Sequence, residues 1–139
     1  MILVVDASFA LAWLFARQDE SEAAHAERGL AMLARTDALV PALWHLEIAN
    51  ALVVGERRGL VAQAKTAEFL ANLDGLPIAT DSADPANRRE AVLAMARQHE
   101  LTAYDAAYLE LALRQHAVLA SFDHALVAAA HRAGSAVFD

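Results

Sequence analysis

Cysteine is absent from this chain of 139 residues. Disulfide bonds and thiolate metal ligands are therefore excluded, and any bound metal ion must be held by oxygen or imidazole. Long apolar runs are also missing, since residues 38–54 are interrupted by Pro41, His45, Glu47 and Asn50. No segment reaches the eighteen or so apolar residues that span a bilayer. The first residues lack the basic start of a signal peptide, so we expect a cytoplasmic protein.

Basic residues are few. The chain has ten arginines and one lysine, Lys65, against 18 acidic residues, and its formal net charge is −7. Proteins that coat nucleic acid gain affinity by neutralising phosphates, so this balance argues against that class. It does not exclude a nuclease, because bound cations cancel the charge of catalytic carboxylates.

Two other classes lack a residue or motif that they need. A nucleotide-binding module would carry a glycine-rich phosphate loop, and none follows Asp6. A phospho-accepting receiver domain would need a lysine after a late strand, and Lys65 lies too early in the chain. Both classes are therefore disfavoured.

What remains is the composition of a soluble α/β or all-α domain. The chain is 58% hydrophobic and 21% charged, which excludes disorder, and we expect residues 1–139 to form a single domain. Short apolar runs alternate with longer helical patterns, which predicts a mainly parallel sheet with helices on both faces. The predicted strands are 2–5, 38–41, 76–79, 118–121 and 136–138, and the predicted helices are 9–15, 20–35, 42–57, 62–73, 84–100, 102–114 and 123–132.

Three features of these elements are predicted as well. Ser8 should cap the first helix. Helix 42–57 is apolar nearly all round, so it should be largely buried. Strand 76–79 should lie at an edge of the sheet, because proline at position 77 cannot donate to a strand ladder.

Acidic residues stand where strands end. Asp6 follows the first strand, Asp123 follows strand 118–121, and Glu47 lies early in the helix after the second strand. In parallel α/β sheets, ligands bind outside the carboxyl ends of the strands, near a switch in strand order. Asp105 opens a helix and can point the same way. The sequence permits these four carboxylates to converge but does not require it.

Each acid also has a purely structural interpretation. Asp6 and Asp123 are good helix N-caps, and Thr102 with Asp105 forms a possible capping box. Glu47 lies among apolar residues, where an unpaired carboxylate is costly. It must therefore meet a cation, hydrogen-bond donors or a buried arginine.

Carboxylates in this number suit hard cations. Mg²⁺ typically binds through one or two of them, with water and substrate phosphate as the remaining ligands. Two such ions can act together in phosphodiester cleavage. The six histidines show no pair spaced four residues apart, so we assign them no metal role.

Four short segments are more specific together than any one of them alone. They are residues 4–8 (VVDAS), 46–52 (LEIANAL), 101–108 (LTAYDAAY) and 121–123 (SFD). In this order and at these separations they resemble the PIN-domain ribonucleases, specifically the VapC-type toxins of bacterial VapBC toxin–antitoxin pairs. The resemblance runs over essentially the whole chain.

The resemblance implies a three-layer α/β/α fold and an endoribonuclease that needs one or two Mg²⁺ or Mn²⁺ ions. The implied reaction is hydrolysis of RNA phosphodiester bonds by metal-activated water. Metal-binding and catalytic positions are implied at Asp6, Glu47, Asp105 and Asp123, and supporting polar positions at Ser8, Asn50 and Ser121.

The same resemblance implies an RNA substrate, a VapB-type antitoxin partner and a homodimer. Five arginines are candidates for phosphate contacts, although arginines at helix ends often only interact with the helix dipole or solvent. A different class stays open, namely a catalytically silent PIN-like scaffold that binds RNA or a partner; the presence of all four acids argues against that loss. The five arginines are Arg17, Arg57, Arg58, Arg88 and Arg89.

Overall fold

Five parallel strands form the centre of the structure, a computed structural model that describes residues 1–139. They lie in the order β3-β2-β1-β4-β5, and every neighbouring pair is parallel. The chain builds β1, β2 and β3 outward in one direction and then places β4 on the other side of β1. The strand order therefore reverses between β1 and β4. The strands are β1 (Ile2–Val5), β2 (Asp37–Val40), β3 (Ile78–Thr80), β4 (Val118–Ala120) and β5 (Ala136–Val137).

Seven α-helices flank this sheet, which confirms the predicted α/β architecture. Because crossovers between parallel strands are right-handed, the first four helices cover one face and the last three cover the other. No helix combines the length and the apolar composition that crossing a membrane would need. The helices are α1 (Ala7–Leu11), α2 (Glu20–Met32), α3 (Leu43–Arg57), α4 (Gln63–Asp74), α5 (Arg89–His99), α6 (Ala103–Arg114) and α7 (His124–Ala133).

The central strand β1 is buried on both faces. Leu3 and Val4 are wholly inaccessible and Val5 is nearly so, as expected for a parallel strand with helices on each side. The predicted edge strand is confirmed, because β3 pairs only with β2, and Pro77 stands just before its first residue. These short strands bring their carboxyl ends to one edge, where the connections to α1, α3 and α7 begin.

Two helix predictions were wrong in their boundaries. The predicted helix 9–15 is observed at Ala7–Leu11, because its N-cap is Asp6 rather than Ser8. The predicted helix 84–100 is broken: Pro85–Asn87 form a 3₁₀ turn, and α5 begins only at Arg89. The Asp84 carboxylate accepts a hydrogen bond from the Ala86 N–H at 3.0 Å, which stabilises this tight turn instead of a regular helix start.

The expectation that helix 42–57 is largely buried was also wrong. One side of α3 packs into the core through Trp44, Ile48 and Leu52. On the other side, Leu46 is 76% exposed and Val53 is 39% exposed. Composition alone overstated the burial, because a helix that covers one face of a sheet always leaves another side toward solvent.

Gly29 of α2 lies directly against the ring of Phe9. A Cβ at position 29 would stand 2.3 Å from Phe9 Cε1, and the ring cannot retreat, because Phe9 is fully buried and stacked on Phe122. Overpacking of this kind costs about 1–3 kcal/mol, occasionally more, against a helix-propensity gain of about 1 kcal/mol. We therefore expect Gly29→Ala to lower the free energy of unfolding, measured by urea denaturation.

The matched control is Gly75→Ala. There the nearest atom to a new Cβ is at 3.5 Å and the backbone φ is −84°. Alanine should be neutral or slightly stabilising at that position. Equal unfolding midpoints for both variants would contradict the proposed contact between α2 and Phe9.

Candidate active site

Asp6 stands at the end of the central strand, beside the reversal in strand order. Its backbone N–H donates to the Ala120 carbonyl at 3.1 Å, so Asp6 continues the pairing of β1 with β4 by one step. Its side chain is only 4% exposed. This is the place where open parallel sheets bind ligands.

Three hydrogen bonds hold the Asp6 carboxylate. Oδ1 accepts from the Ser8 hydroxyl at 2.7 Å and from the Phe9 N–H at 2.9 Å, and Oδ2 accepts from the Ser121 hydroxyl. The bond from Phe9 is the N-cap bond of α1, so the structural role predicted for Asp6 is real. Capping uses one of the three bonds, and the two serine hydroxyls orient the carboxylate beyond what a cap requires.

The same two serines join the ends of β1 and β4. The Ser8 Oγ accepts from the Phe122 N–H at 3.1 Å, and the Ser121 Oγ accepts from the Asp123 N–H at 2.9 Å. Each hydroxyl thus donates to Asp6 and accepts from the loop that follows β4. This loop brings Asp123 to the site, where Asp123 also caps α7 through the Leu126 N–H at 2.9 Å.

Asp105 interacts electrostatically with each of the other three carboxylates. Its pKa is raised, first by burial and then by the negative charges of Asp123 and Glu47. Burial also raises the pKa of Asp6 to about 6, hydrogen bonds partly oppose this, and the charge of Asp105 adds to it. The structure therefore brings all four predicted acids together at one edge of the sheet.

The capping box predicted around Asp105 is only half formed. The Thr102 hydroxyl accepts a hydrogen bond from the Asp105 N–H at 3.1 Å. The reciprocal bond, from the Thr102 N–H to the Asp105 carboxylate, is not made. The Asp105 side chain is half-buried, and it lies near enough to Asp123 and Glu47 to interact electrostatically with both.

Glu47 is held by a tyrosine. The Tyr108 hydroxyl donates to Glu47 Oε1 at 2.5 Å, and no ion pair of the chain includes Glu47. Pairing with a buried arginine, one of the alternatives from the sequence, was therefore wrong. Asn50 is exposed and makes no hydrogen bond to Glu47, so it does not orient this carboxylate in the structure.

Tyr108 is the residue that sequence reasoning missed. It is 1% exposed, and its pKa is raised by burial and then by its bond to Glu47, so the hydroxyl keeps its proton and acts as a donor. The sequence could have indicated this role, because Tyr108 comes three residues after Asp105 and thus lies on the same side of α6.

The donor set fits a hard cation that keeps part of its water shell. No three carboxylate or imidazole groups stand close enough to enclose a metal ion by themselves. Mg²⁺ does not need such a cage, because one or two carboxylates suffice when water and substrate phosphate supply the other ligands. Mutually repelling carboxylates with only oxygen donors provide that partial set.

Three of the candidate phosphate-binding arginines are either already paired or far from Glu47. Arg17 is ion-paired with Glu22 at 2.6 Å, and its guanidinium lies 4.3 Å from the ring centre of Phe122. Arg57 and Arg58 follow Glu47 on α3 by ten residues or more, which is about 15 Å along the helix axis. The pair at the end of α3 is therefore too remote to meet a phosphate at the acids.

The raised pKa of Asp6 predicts how stability depends on pH. Its pKa is about 6 in the folded chain against an ordinary 3.8, so the folded state holds the proton more tightly than the unfolded state does. The resulting stabilisation is complete below about pH 4 and is lost as the pH rises through 6. Relative to Asp6→Asn, the metal-free chain should lose up to about 3 kcal/mol of unfolding free energy between pH 4 and pH 7.

The measurement is urea unfolding of both chains in EDTA at several pH values. Asp6→Asn is the reference, because its side chain cannot titrate while all other groups remain. Parallel pH profiles of the two chains would contradict the raised pKa.

Comparisons with known proteins identify the family and the fold. Comparison with curated proteins found no match. The crystal structure of PAE2754 from Pyrobaculum aerophilum is similar to this chain, with 25% sequence identity and a TM-score of 0.69. The match covers 93% of this chain and 84% of the PAE2754 chain. The structure of FitAcB from Neisseria gonorrhoeae matches 100% of this chain and 97% of its own chain. The sequence identity is 19% and the TM-score is 0.63, which shows a shared fold. The sequence profile described as the PIN domain matches residues 3–132, so the chain belongs to the PIN-domain family.

Proposed function

We propose that this PIN domain is a Mg²⁺- or Mn²⁺-dependent endoribonuclease that acts as the VapC-type toxin of a type II toxin–antitoxin pair. PIN domains are generally nucleases. The observation that carries the proposal is the convergence of four carboxylates at the reversal of strand order, where burial and then the neighbouring negative charges raise the pKa values of Asp6 and Asp105. Without a cation this repulsion opposes folding, and a cation would convert it into attraction.

Asp6, Glu47, Asp105 and Asp123 would hold one or two ions. When bound, the cation supplies a Lewis acid that activates water and stabilises the leaving oxygen of a phosphodiester. Although burial raises the pKa of Asp6 to about 6, this carboxyl is mostly ionised near neutral pH, as a cation ligand must be.

The surrounding residues position these carboxylates. The hydroxyls of Ser8 and Ser121 hold both oxygens of Asp6, so its carboxylate has one orientation. Tyr108 occupies only Oε1 of Glu47, which leaves Oε2 available. Positioning of metal ligands by such hydrogen bonds typically affects metal affinity and activity strongly.

The toxin role, the VapB-type antitoxin and the homodimer rest on the resemblance of the four sequence segments. All four lie at the site: residues 4–8 surround Asp6, residues 46–52 carry Glu47, residues 101–108 carry Asp105 and Tyr108, and residues 121–123 form the loop that carries Asp123. An antitoxin would keep such a nuclease inactive in the cytoplasm until it is released.

The first test of the proposal is metal-dependent cleavage. The purified chain, free of antitoxin, is incubated with total RNA and tRNA in Mg²⁺, Mn²⁺ or EDTA. We expect discrete cleavage that needs the metal. Loss of a residue that merely supports a metal ligand costs 10–100-fold, so Asp6→Asn and Glu47→Gln should each reduce the rate by roughly 100-fold or more.

Glu27→Gln is the matched control. Glu27 is exposed on α2, away from the carboxyl edge, and its substitution makes the same change in charge. Full activity of Glu47→Gln would remove Glu47 from the site. A folded, metal-loaded chain that cuts no RNA would favour the silent scaffold.

The role of Tyr108 has its own test. Tyr108→Phe removes the donor to Glu47 and keeps the ring, so the half-saturating Mn²⁺ concentration for cleavage should rise about 10–100-fold. Tyr104→Phe is the control, because Tyr104 is 65% exposed on the same helix. If both variants respond to Mn²⁺ as the unmodified chain does, Tyr108 is a packing residue only.

A further inference from the structure

A separate recess lies beside the acids. Its volume is about 400 Å³, and it opens between the segment after β2, the segment after β3, and helices α5 and α6. Pro41, Leu43, Val92 and Ala107 provide much of its apolar wall. None of the four proposed catalytic acids lines it, so it is distinct from the site described above.

Charged side chains border one end of this recess. Asp81 and Glu110 line it, and Glu110 is only 4% exposed. Arg114 binds both: its Nη2 lies 2.5 Å from Asp81 Oδ2 and its Nε lies 2.8 Å from Glu110 Oε1. These bonds raise the pKa of Arg114 and lower that of Asp81, against the effect of its burial, so both groups are charged.

Two arginines, Arg88 and Arg89, line the recess itself, and their ion pairs are weaker or absent. Arg88 reaches Glu110 at 3.4 Å, which is long for a charge-assisted hydrogen bond. Arg89 is exposed and takes part in no ion pair. The two acids that line the recess are thus already paired with Arg114, which lies outside the lining, and the Arg89 guanidinium stays uncompensated in a chain whose net charge is −7.

The size and lining suit a nucleotide. Small-molecule sites commonly measure about 300–1,000 Å³ and combine apolar walls with a few polar groups. Enzymes that act on nucleic acids can hold a base between aromatic or apolar side chains, and proteins that bind single strands meet the phosphates with basic side chains. The apolar wall and the free guanidinium of Arg89 offer both parts.

The recess is close to the proposed cleavage site. Leu43 precedes Glu47 by one turn of α3, about 6 Å along the axis. Ala107 follows Asp105 by two residues of α6, about 3 Å along the axis. A nucleotide in the recess would therefore neighbour a phosphodiester at the acids within one RNA strand.

We propose that this recess binds one nucleotide of a single-stranded RNA substrate beside the bond that is cut. The base lies against Leu43 and Val92, and the phosphate lies at Arg88 and Arg89. This inference rests on the proposed nuclease function and adds where the substrate is bound. Substrate selection then depends on the recess, while the chemistry depends on the acids.

The test measures binding and cleavage separately. Binding of a fluorescein-labelled single-stranded RNA is followed by fluorescence anisotropy in EDTA, where no cleavage takes place. Arg89→Glu should raise the Kd roughly 10-fold or more, the effect of losing one strong contact. Arg89 is the first residue of α5, where an acid favours the helix dipole, so weaker binding would not reflect a weaker helix.

Arg35→Glu is the matched control. It makes the same charge change at an exposed position before β2, at the opposite edge of the sheet, and should leave the Kd nearly unchanged. Val92→Trp fills the recess without changing charge and should also weaken binding. Val92→Met is the milder replacement if circular dichroism shows that the tryptophan variant does not fold.

The outcomes separate the two proposals. If the unmodified chain cleaves RNA and the recess variants bind and cleave as it does, the recess proposal is overturned and the nuclease stands. If the recess variants weaken RNA binding but no chain ever cleaves, the recess is supported as an RNA-binding site and the nuclease proposal fails. The recess proposal would be overturned if the unmodified chain has no measurable affinity for RNA. It would also be overturned if the recess variants keep the RNA affinity of the unmodified chain and a protein partner covers the recess instead.

Discussion

The parallel pairing of β1 with β4 is the constraint on which the site depends. It places the end of a fully buried strand beside the loop that follows β4, and Asp6 is the residue at that junction. The buried carboxylate needs hydrogen bonds, and Ser8 and Ser121 supply them while also binding the loop after β4. Fold stability and the orientation of Asp6 therefore rest on the same few bonds.

Two clusters of acidic residues at this edge of the sheet differ in whether arginines neutralise them. Asp81 and Glu110 are neutralised by Arg114, with Arg88 nearby, and this network is complete within the chain. Around Asp105 the acids meet hydroxyls and one another but no guanidinium, so burial and then this uncompensated repulsion raise the pKa values of Asp6 and Asp105. An arrangement that opposes folding in the absence of a ligand is typical of a functional site rather than of a structural one.

Helix α6 connects these two regions. Its first turns carry Asp105 and Tyr108 toward the acids, and later residues, Glu110 and Arg114, form the neutralised network beside the recess. Packing of α6 against α5, β1 and β4 holds both regions in a constant relation. The four acids and the proposed nucleotide recess thus share one rigid element.

The sequence alone determined the α/β class, the parallel sheet and the edge position of β3, and it offered the four acids as candidates, because apolar periodicity and strand-end residues are local signals. It did not determine that α1 begins at the Asp6 cap, that α5 starts late, or that one side of α3 is exposed, since these depend on competing hydrogen bonds and on neighbouring elements. Only the tertiary structure decided that Tyr108, rather than arginine or Asn50, meets Glu47. That partner is 61 residues away, and the two side chains meet only where α3 and α6 are packed around the end of β1.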